Sequence, residues 1–189
     1  MEAVTNKLYS LAEYQHLEEQ TGRWYEYHDG EVFAMTDGSP EHSAIITNVS
    51  DLLRDALPAG CRRFSSDLKV YVPSVNQGFH PDLTVACRPI EKPDGINAIS
   101  NPVLLVEVLS QSTADYDRGK KFWYLSQLSS LREYVLIEQE RQAVETRFRE
   151  STDSKWKMDY YEGAEAKVYL HSLNLQIPVH QIYVDTEGL

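Results

Sequence analysis

The fold is decided by residues 103–109, Val-Leu-Leu-Val-Glu-Val-Leu, an almost unbroken apolar run that contains a single acid. A continuous run of Val and Leu is typical of a central β-strand that is covered on both faces. The carboxylate of Glu107 would lose several kcal/mol of hydration in such a strand unless a cation or strong hydrogen-bond donors compensated it. The run therefore predicts a sheet with a buried centre and a charged partner for Glu107, which an internal ion pair without any activity would also satisfy.

The N-terminal part of the chain carries clear signals for a helix and a hairpin. Ser10 followed by Glu13 forms a capping-box pattern, which predicts a short helix over residues 11–20. Asp29-Gly30 lies between two short runs of strand-forming residues and predicts a tight antiparallel hairpin. Ser39-Pro40 then opens a second helix with an apolar stripe on one face.

Farther along the chain, the hydrophobic periodicity predicts more strands and one polar helix. The predicted strands cover residues 68–72, 83–87, 134–137, 144–148, 155–160 and 167–170, and the helix covers 114–128. This mixed order, without repeats or a long linker, favours one α+β (mixed α/β) domain over residues 1–189, with a central mixed sheet flanked by helices.

Composition and charge narrow the classes of protein. The 189 residues carry 18 basic and 29 acidic side chains, a formal charge of -11, which is the wrong sign for a protein that coats nucleic acid. A local basic face remains open because Arg62, Arg63 and Lys69 cluster in sequence. No apolar stretch is long enough for a membrane span, and the first ten residues lack a signal segment, so we predict a cytoplasmic protein.

The two cysteines, Cys61 and Cys87, stand far apart in the sequence. They show neither the paired spacing of a zinc site nor the density of a secreted disulfide scaffold. This pattern predicts buried, reduced thiols.

A second carboxylate gives Glu107 a possible function. Asp82 follows Pro81 at the entrance of a predicted strand, and two carboxylates on adjacent strands can jointly hold Mg²⁺, a hard cation that prefers oxygen ligands. A Pro-Asp pair is also common in turns, which is the structural alternative for Asp82 taken alone.

Five ordered segments resemble one known family. They are Tyr25-Glu26-Tyr27-His28-Asp29-Gly30-Glu31, Glu41-His42-Ser43, Glu107-Val108-Leu109-Ser110, Asp117-Arg118-Gly119-Lys120-Lys121 and Leu131-Arg132-Glu133-Tyr134. Together they resemble the Uma-type restriction endonuclease family, and His80-Pro81-Asp82 with the Glu107 segment resembles the core of the PD-(D/E)xK nuclease superfamily. The resemblance extends from about Leu8 to Ile182 and implies a restriction-endonuclease-like fold.

The resemblance implies a metal-dependent site. Asp82 and Glu107 would be catalytic and would bind Mg²⁺, for which Mn²⁺ could substitute, and the main-chain carbonyl of Val108 would be a further ligand. Glu26 corresponds to the N-terminal acid of the family site. The alternative for Glu26 is an ordinary exposed strand glutamate.

The lysine of the superfamily pattern is displaced in this chain. The position two residues after Glu107 is Leu109, and in Uma-type proteins the lysine lies on the following helix, where Lys121 matches and Lys120 is the alternative. Asp117 precedes Lys121 by four residues, so a solvated salt bridge along the helix is an equal alternative to catalysis.

His42 lies on the apolar stripe of the second helix, which favours a buried histidine with a structural partner, and the resemblance gives it a secondary role near the site. The implied function is metal-dependent endonuclease cleavage of DNA. The partners expected are DNA and, in a possible homodimer, a second copy of the chain, and no membrane. The alternatives are a catalytically silent nuclease fold that acts as a binding module, and a hydrolase of a small phosphorylated substrate.

Overall fold

The computed structural model describes residues 7–35 and 38–186. The helices are α1 (Leu11–Thr21), α2 (Pro40–Arg54), α3 (Ala114–Tyr116), α4 (Phe122–Leu125) and α5 (Val179–Ile182), with a π-helical turn at Asp117–Lys121. The strands are β1 (Tyr25–His28), β2 (Glu31–Ala34), β3 (Cys61–Ser65), β4 (Lys69–Val72), β5 (Gln77–Phe79), β6 (Leu83–Cys87), β7 (Ala98–Ile99), β8 (Pro102–Leu109), β9 (Glu133–Glu138), β10 (Ala143–Phe148), β11 (Lys157–Glu162), β12 (Lys167–Leu170) and β13 (Leu175–Pro178).

The central feature is a six-stranded sheet in the order β11-β10-β9-β8-β6-β3. The apolar run forms its inner strand β8, which pairs antiparallel with β6 and parallel with β9. Val106 and Val108 pack in the cluster that includes the α2 stripe, whereas Leu105 and Leu109 pack in the cluster that includes Leu125 of α4. The predicted mixed sheet with a doubly covered centre is therefore confirmed.

A smaller five-stranded sheet, ordered β2-β1-β5-β4-β7, carries the predicted hairpin. Asp29 and Gly30 both have positive φ, as a tight turn between β1 and β2 requires. The capping box at Ser10 and Glu13 is present, and Ser39 caps α2. Strands β3, β5, β7 and β13 were not predicted, because such short strands carry little local signal.

The predicted polar helix is interrupted. It consists of α3, a five-residue π turn and α4, and it ends at Leu125 rather than at Leu128. A π turn changes the direction in which side chains leave a helix, and such turns are common at functional sites. Asp117 and Lys121, the ends of this π turn, are both buried. They do not form the solvated salt bridge that their spacing suggested.

All four residues of strand β4 are buried. Lys69 is only 6% exposed and makes an ion pair with Glu18 of α1. Arg63 donates from Nε to Ser50 Oγ over 2.6 Å. The sequence cluster of Arg62, Arg63 and Lys69 therefore does not form a continuous basic face. No helix in the described parts of the chain has the length and apolar character of a bilayer crossing.

The prediction of reduced thiols is wrong: Cys61 and Cys87 form a disulfide across β3 and β6. The antiparallel register places the two residues directly opposite each other, and sequence separation alone gave no sign of it. The disulfide joins the edge strand β3 to the rest of the six-stranded sheet.

We expect reduction of the disulfide to destabilise the protein by about 3 kcal/mol, because the bond closes a loop with a sequence separation of 26 residues and restricts the unfolded chain. Urea unfolding with and without dithiothreitol measures the effect. A Cys61→Ser/Cys87→Ser double variant is the control, since dithiothreitol has no bond to reduce in it. Equal unfolding midpoints for the oxidised and reduced wild type would contradict the expectation.

Candidate active site

A cavity of about 440 Å³ lies where β1, α2, β8 and the π turn meet. Six of the side chains that the sequence singled out line it: Glu26, His42, Asp82, Glu107, Asp117 and Lys121. They come from five separate elements or connections. Because β6 and β8 are neighbours and Leu83 pairs with Val106, the two predicted metal-binding acids face the same cavity.

Lys121 holds three carboxylates together. Its Nζ lies 2.8 Å from Glu107 Oε1, 3.1 Å from Glu26 Oε1 and 3.5 Å from Asp117 Oδ1. Burial opposes the charge on Lys121, but the three carboxylates raise its pKa well above the ordinary value. Lys121 is therefore an ammonium group at neutral pH.

Glu26 is a buried ionised carboxylate and not an exposed strand residue. It is 3% exposed, its Oε2 accepts a hydrogen bond from Tyr116 Oη over 2.7 Å, and His28 Nε2 lies 3.2 Å from the same oxygen. Burial alone would raise its pKa, but Lys121, His28 and Tyr116 lower the pKa of Glu26 to about 2.

Glu107 behaves in the opposite way although it is the closest acid to Lys121. Burial raises the pKa of Glu107 well above the ordinary range, and the nearby Asp117 and Asp82 add to the effect, while Lys121 opposes it. Apart from the Lys121 ammonium, 2.8 Å away, Oε1 has no hydrogen-bond donor among the described residues. Glu107 thus lacks the hydrogen-bond donors that keep Glu26 ionised.

Asp117 shares the low-polarity environment of Glu107. It is 4% exposed, and burial is the main cause of its raised pKa, against which Lys121 acts. The cavity therefore contains one buried cation and more than one acid that resists ionisation. A second positive charge would be favourable here.

Asp82 occupies the other side of the cavity. Its Oδ2 accepts a hydrogen bond from the Val108 amide over 2.7 Å and lies 3.2 Å from His42 Nε2. His42 Nε2 also lies 3.1 Å from the Val108 carbonyl oxygen. Burial of the ring opposes its protonation, but Asp82 and Val108 raise the pKa of His42. His42 is therefore part of the cavity wall, with polar partners, and not a residue of the apolar core.

Lys120 does not join this cluster. Its side chain is exposed, and its Nζ lies 5.8 Å from the centre of the Tyr124 ring. It borders a smaller pocket beside the main cavity. Of the two lysines, only Lys121 reaches the carboxylates.

Tyr116 and His28 were missed as site residues. Both contact Glu26, and their side chains lie 3.2 Å apart between Tyr116 Oη and His28 Nε2. Tyr116 precedes the π turn by one residue, so its direction depended on a backbone irregularity that the sequence does not reveal. His28 was part of a quoted segment, and its position two residues after Glu26 on a strand was a usable signal.

The family model described as Uma2, putative restriction endonuclease, matches residues 11–180. The chain belongs to the Uma2 family. An uncharacterized protein of Synechocystis sp. is 33% identical to this Uma2 chain over 175 residues, which cover 92% of the chain and 90% of that protein. A second uncharacterized protein of the same organism is 31% identical over 172 residues, covering 89% and 96%.

The Uma2 fold is also seen in a solved structure. The crystal structure of a putative nuclease belonging to DUF820 from Anabaena variabilis superimposes with a TM-score of 0.72 at 18% identity. The match covers 93% of this chain and 97% of that one. At this identity the similarity shows that the Uma2 chain shares the mixed α+β fold of that protein.

The donor atoms of this Uma2 site suit a hard divalent cation. Within residues 7–35 and 38–186, no three His, Cys, Asp or Glu side chains converge as a ready metal centre. Mg²⁺ needs fewer protein side chains than three, because it is usually held by one or two carboxylates and retains several waters. The carboxylates of Asp82 and Glu107 and the carbonyl of Val108 line one cavity, and Glu107 Oε1 has no hydrogen-bond donor other than Lys121 among the described residues. These groups therefore fit the ion.

We expect Glu26→Gln to lower the free energy of unfolding of this Uma2 protein by about 3 kcal/mol near neutral pH. The pKa of Glu26 is lowered from 4.5 to about 2 in the folded state, so its stabilising effect is complete above pH 4.5 and is lost as the pH falls towards 2. Urea unfolding of wild type and variant between about pH 7 and pH 3 measures the difference, which should shrink towards acid pH.

Glu31→Gln is the matched control for this experiment, because Glu31 is exposed on the paired strand β2, opposite His28. It should change the free energy of unfolding little at any pH. A Glu26→Gln difference that stays constant with pH would contradict the assignment of a lowered pKa.

Proposed function

We propose that this protein is a Mg²⁺-dependent endonuclease that hydrolyses phosphodiester bonds in DNA. The observation that carries the proposal is Glu107, a buried carboxylate for whose Oε1 Lys121 is the sole donor among the described residues, in one cavity with Asp82 and Asp117. Such an arrangement is costly for folding alone, since three buried acids share a single cation and removing water from them destabilises a protein. A divalent ion would offset that cost.

Asp82, Glu107 and the Val108 carbonyl would hold Mg²⁺, with Mn²⁺ as a possible substitute. When bound, the ion supplies Lewis-acid polarisation of the phosphate and lowers the pKa of a water molecule. The hydrogen bond from the Val108 amide fixes the Asp82 carboxylate, and the buried β8 strand fixes Glu107.

Lys121 would act as a fixed positive charge. Its raised pKa means that the amine has no free electron pair with which to accept a proton from water. It would instead orient the attacking water by donating a hydrogen bond and offset the negative charge that develops on the phosphate. Glu26 and Asp117 would hold this ammonium in place.

The net charge of -11 disfavours long-range attraction of DNA and favours two alternative functions. One is a silent nuclease fold that binds a partner without turnover, and the other is hydrolysis of a small phosphorylated substrate. We also propose a cytoplasmic location, a homodimer and DNA as the partner.

A plasmid-nicking assay tests the proposed function. Wild-type protein should convert supercoiled DNA into nicked or linear forms with Mg²⁺ or Mn²⁺ and should be inactive with EDTA. Cleavage of a dinucleotide phosphodiester without cleavage of DNA would instead support the small-substrate function. Calorimetric binding of DNA without metal binding or cleavage would support the silent binding module.

A further inference from the structure

We propose that His42 is itself a ligand of the divalent ion, and that its imidazole makes the site bind Mn²⁺ and similar transition-metal ions in preference to Mg²⁺. This inference rests on the proposed function, because it assumes a metal site at Asp82 and Glu107. It adds a nitrogen donor to a site otherwise made of oxygen atoms.

The first argument is the position of the imidazole nitrogen. His42 Nε2 lies 3.2 Å from Asp82 Oδ2 and 3.1 Å from the Val108 carbonyl oxygen. Neighbouring ligands of an octahedral ion lie √2 times the bond length apart, which is about 3.1 Å for bonds of about 2.2 Å. The nitrogen therefore already has the separation from Asp82 Oδ2 and the Val108 carbonyl that two ligands of one ion would have, although His42, Asp82 and Glu107 do not converge as a complete metal centre in the described structure.

The second argument is that the ring is held in place. Ser39 Oγ accepts a hydrogen bond from the His42 amide at the start of α2, which fixes the backbone of the first turn. Gly38 lies directly against the ring, since a Cβ atom at residue 38 would lie 2.9 Å from His42 Nδ1. The imidazole thus packs so closely against residue 38 that a side chain there would clash with the ring.

The third argument is the chemistry of the donor. Imidazole binds first-row transition ions well, whereas Mg²⁺ strongly prefers oxygen ligands and retained water. A neutral His42 with its proton on Nδ1 presents a free electron pair at Nε2. In the other tautomer, the proton lies on Nε2 and the ring only donates a hydrogen bond to Asp82. A cation at Asp82 would then displace the ring without bonding to its nitrogen.

Pulsed EPR of the Mn²⁺-loaded wild-type protein distinguishes these cases, because it detects hyperfine coupling to a directly bound imidazole nitrogen. We expect one such coupling, and we expect it to disappear in His42→Gln while Mn²⁺ remains bound. Calorimetry should show that His42→Gln weakens Mn²⁺ binding by at least about tenfold and Mg²⁺ binding by much less. The side chain of Gln can still donate to Asp82, so a role limited to hydrogen bonding would leave both affinities nearly unchanged.

Gly38→Ala provides a second test that leaves every donor in the chain. The added methyl group should displace the ring and weaken Mn²⁺ binding as His42→Gln does. Gly119→Ala is its control, since a Cβ atom there meets nothing within 4 Å.

The outcomes separate this inference from the proposed function. Mn²⁺ binding that depends on Asp82 but shows no nitrogen coupling would overturn the role of His42 and leave the metal site intact. An absence of Mn²⁺ and Mg²⁺ binding, equal in wild type and Asp82→Asn, would overturn both.

Discussion

Asp82→Asn should reduce the rate of Mg²⁺-dependent DNA nicking by about a thousandfold, equivalent to roughly 4 kcal/mol of transition-state stabilisation. The substitution removes one negative charge from the proposed metal site. It keeps the shape of the side chain and an oxygen that can accept the hydrogen bond from the Val108 amide. The loss should therefore be one of metal affinity and rate, with little change in folding.

Time courses of plasmid nicking at several Mg²⁺ concentrations measure this effect, and circular dichroism checks the fold. Asp159→Asn is the matched control, because it makes the same chemical change at an exposed residue of the edge strand β11. Equal nicking rates for wild type and Asp82→Asn would remove Asp82 from the mechanism.

Lys121→Met should lower the free energy of unfolding by about 3–5 kcal/mol near neutral pH, because it leaves buried carboxylates without their shared cation. The effect should be larger at about pH 8 than at about pH 5. Glu107 and Asp117 already have raised pKa values in the folded protein, and without the ammonium their pKa values rise further. Folding then takes up protons, so stability increases as the pH falls.

Lys120→Met is the control for that experiment, since the adjacent lysine is exposed and lies outside the carboxylate cluster. Urea unfolding of both variants at the two pH values measures the difference. Adding Glu107→Gln to Lys121→Met should recover part of the lost stability, because it removes one buried acid that would otherwise have to take up a proton on folding. Similar stabilities for the two single lysine variants would contradict the central position of Lys121.

Much of the fold follows from local sequence. The helix cap at Ser10 and the turn at Asp29-Gly30 each express an interaction between residues close in the chain, and the strand around Glu107 is marked by its own run of Val and Leu. Such interactions are the same in the isolated segment and in the folded protein, so they can be read in advance. The short strands β3, β5, β7 and β13 carry little local signal, and the sequence did not indicate them.

The cluster of acids around Glu107 shows where local information ends. The need for a cation beside this buried acid followed from the apolar run, and the family resemblance pointed to Lys121. The side chain of Lys121 reaches Glu107 and Glu26 from the π turn. Backbone geometry within one turn therefore determines that Lys121, and not Lys120, contacts the acids.

The sequence by itself determined that this is a mixed α+β protein with a buried acid in a central strand, because hydrophobic period and turn chemistry are local properties. Tertiary structure alone decided that His42 meets Asp82, that Cys61 pairs with Cys87 and that Lys69 is buried against Glu18. Each of these contacts joins residues far apart in the chain, so its existence depends on strand register and helix packing. Those depend on the whole fold, and no single segment encodes them.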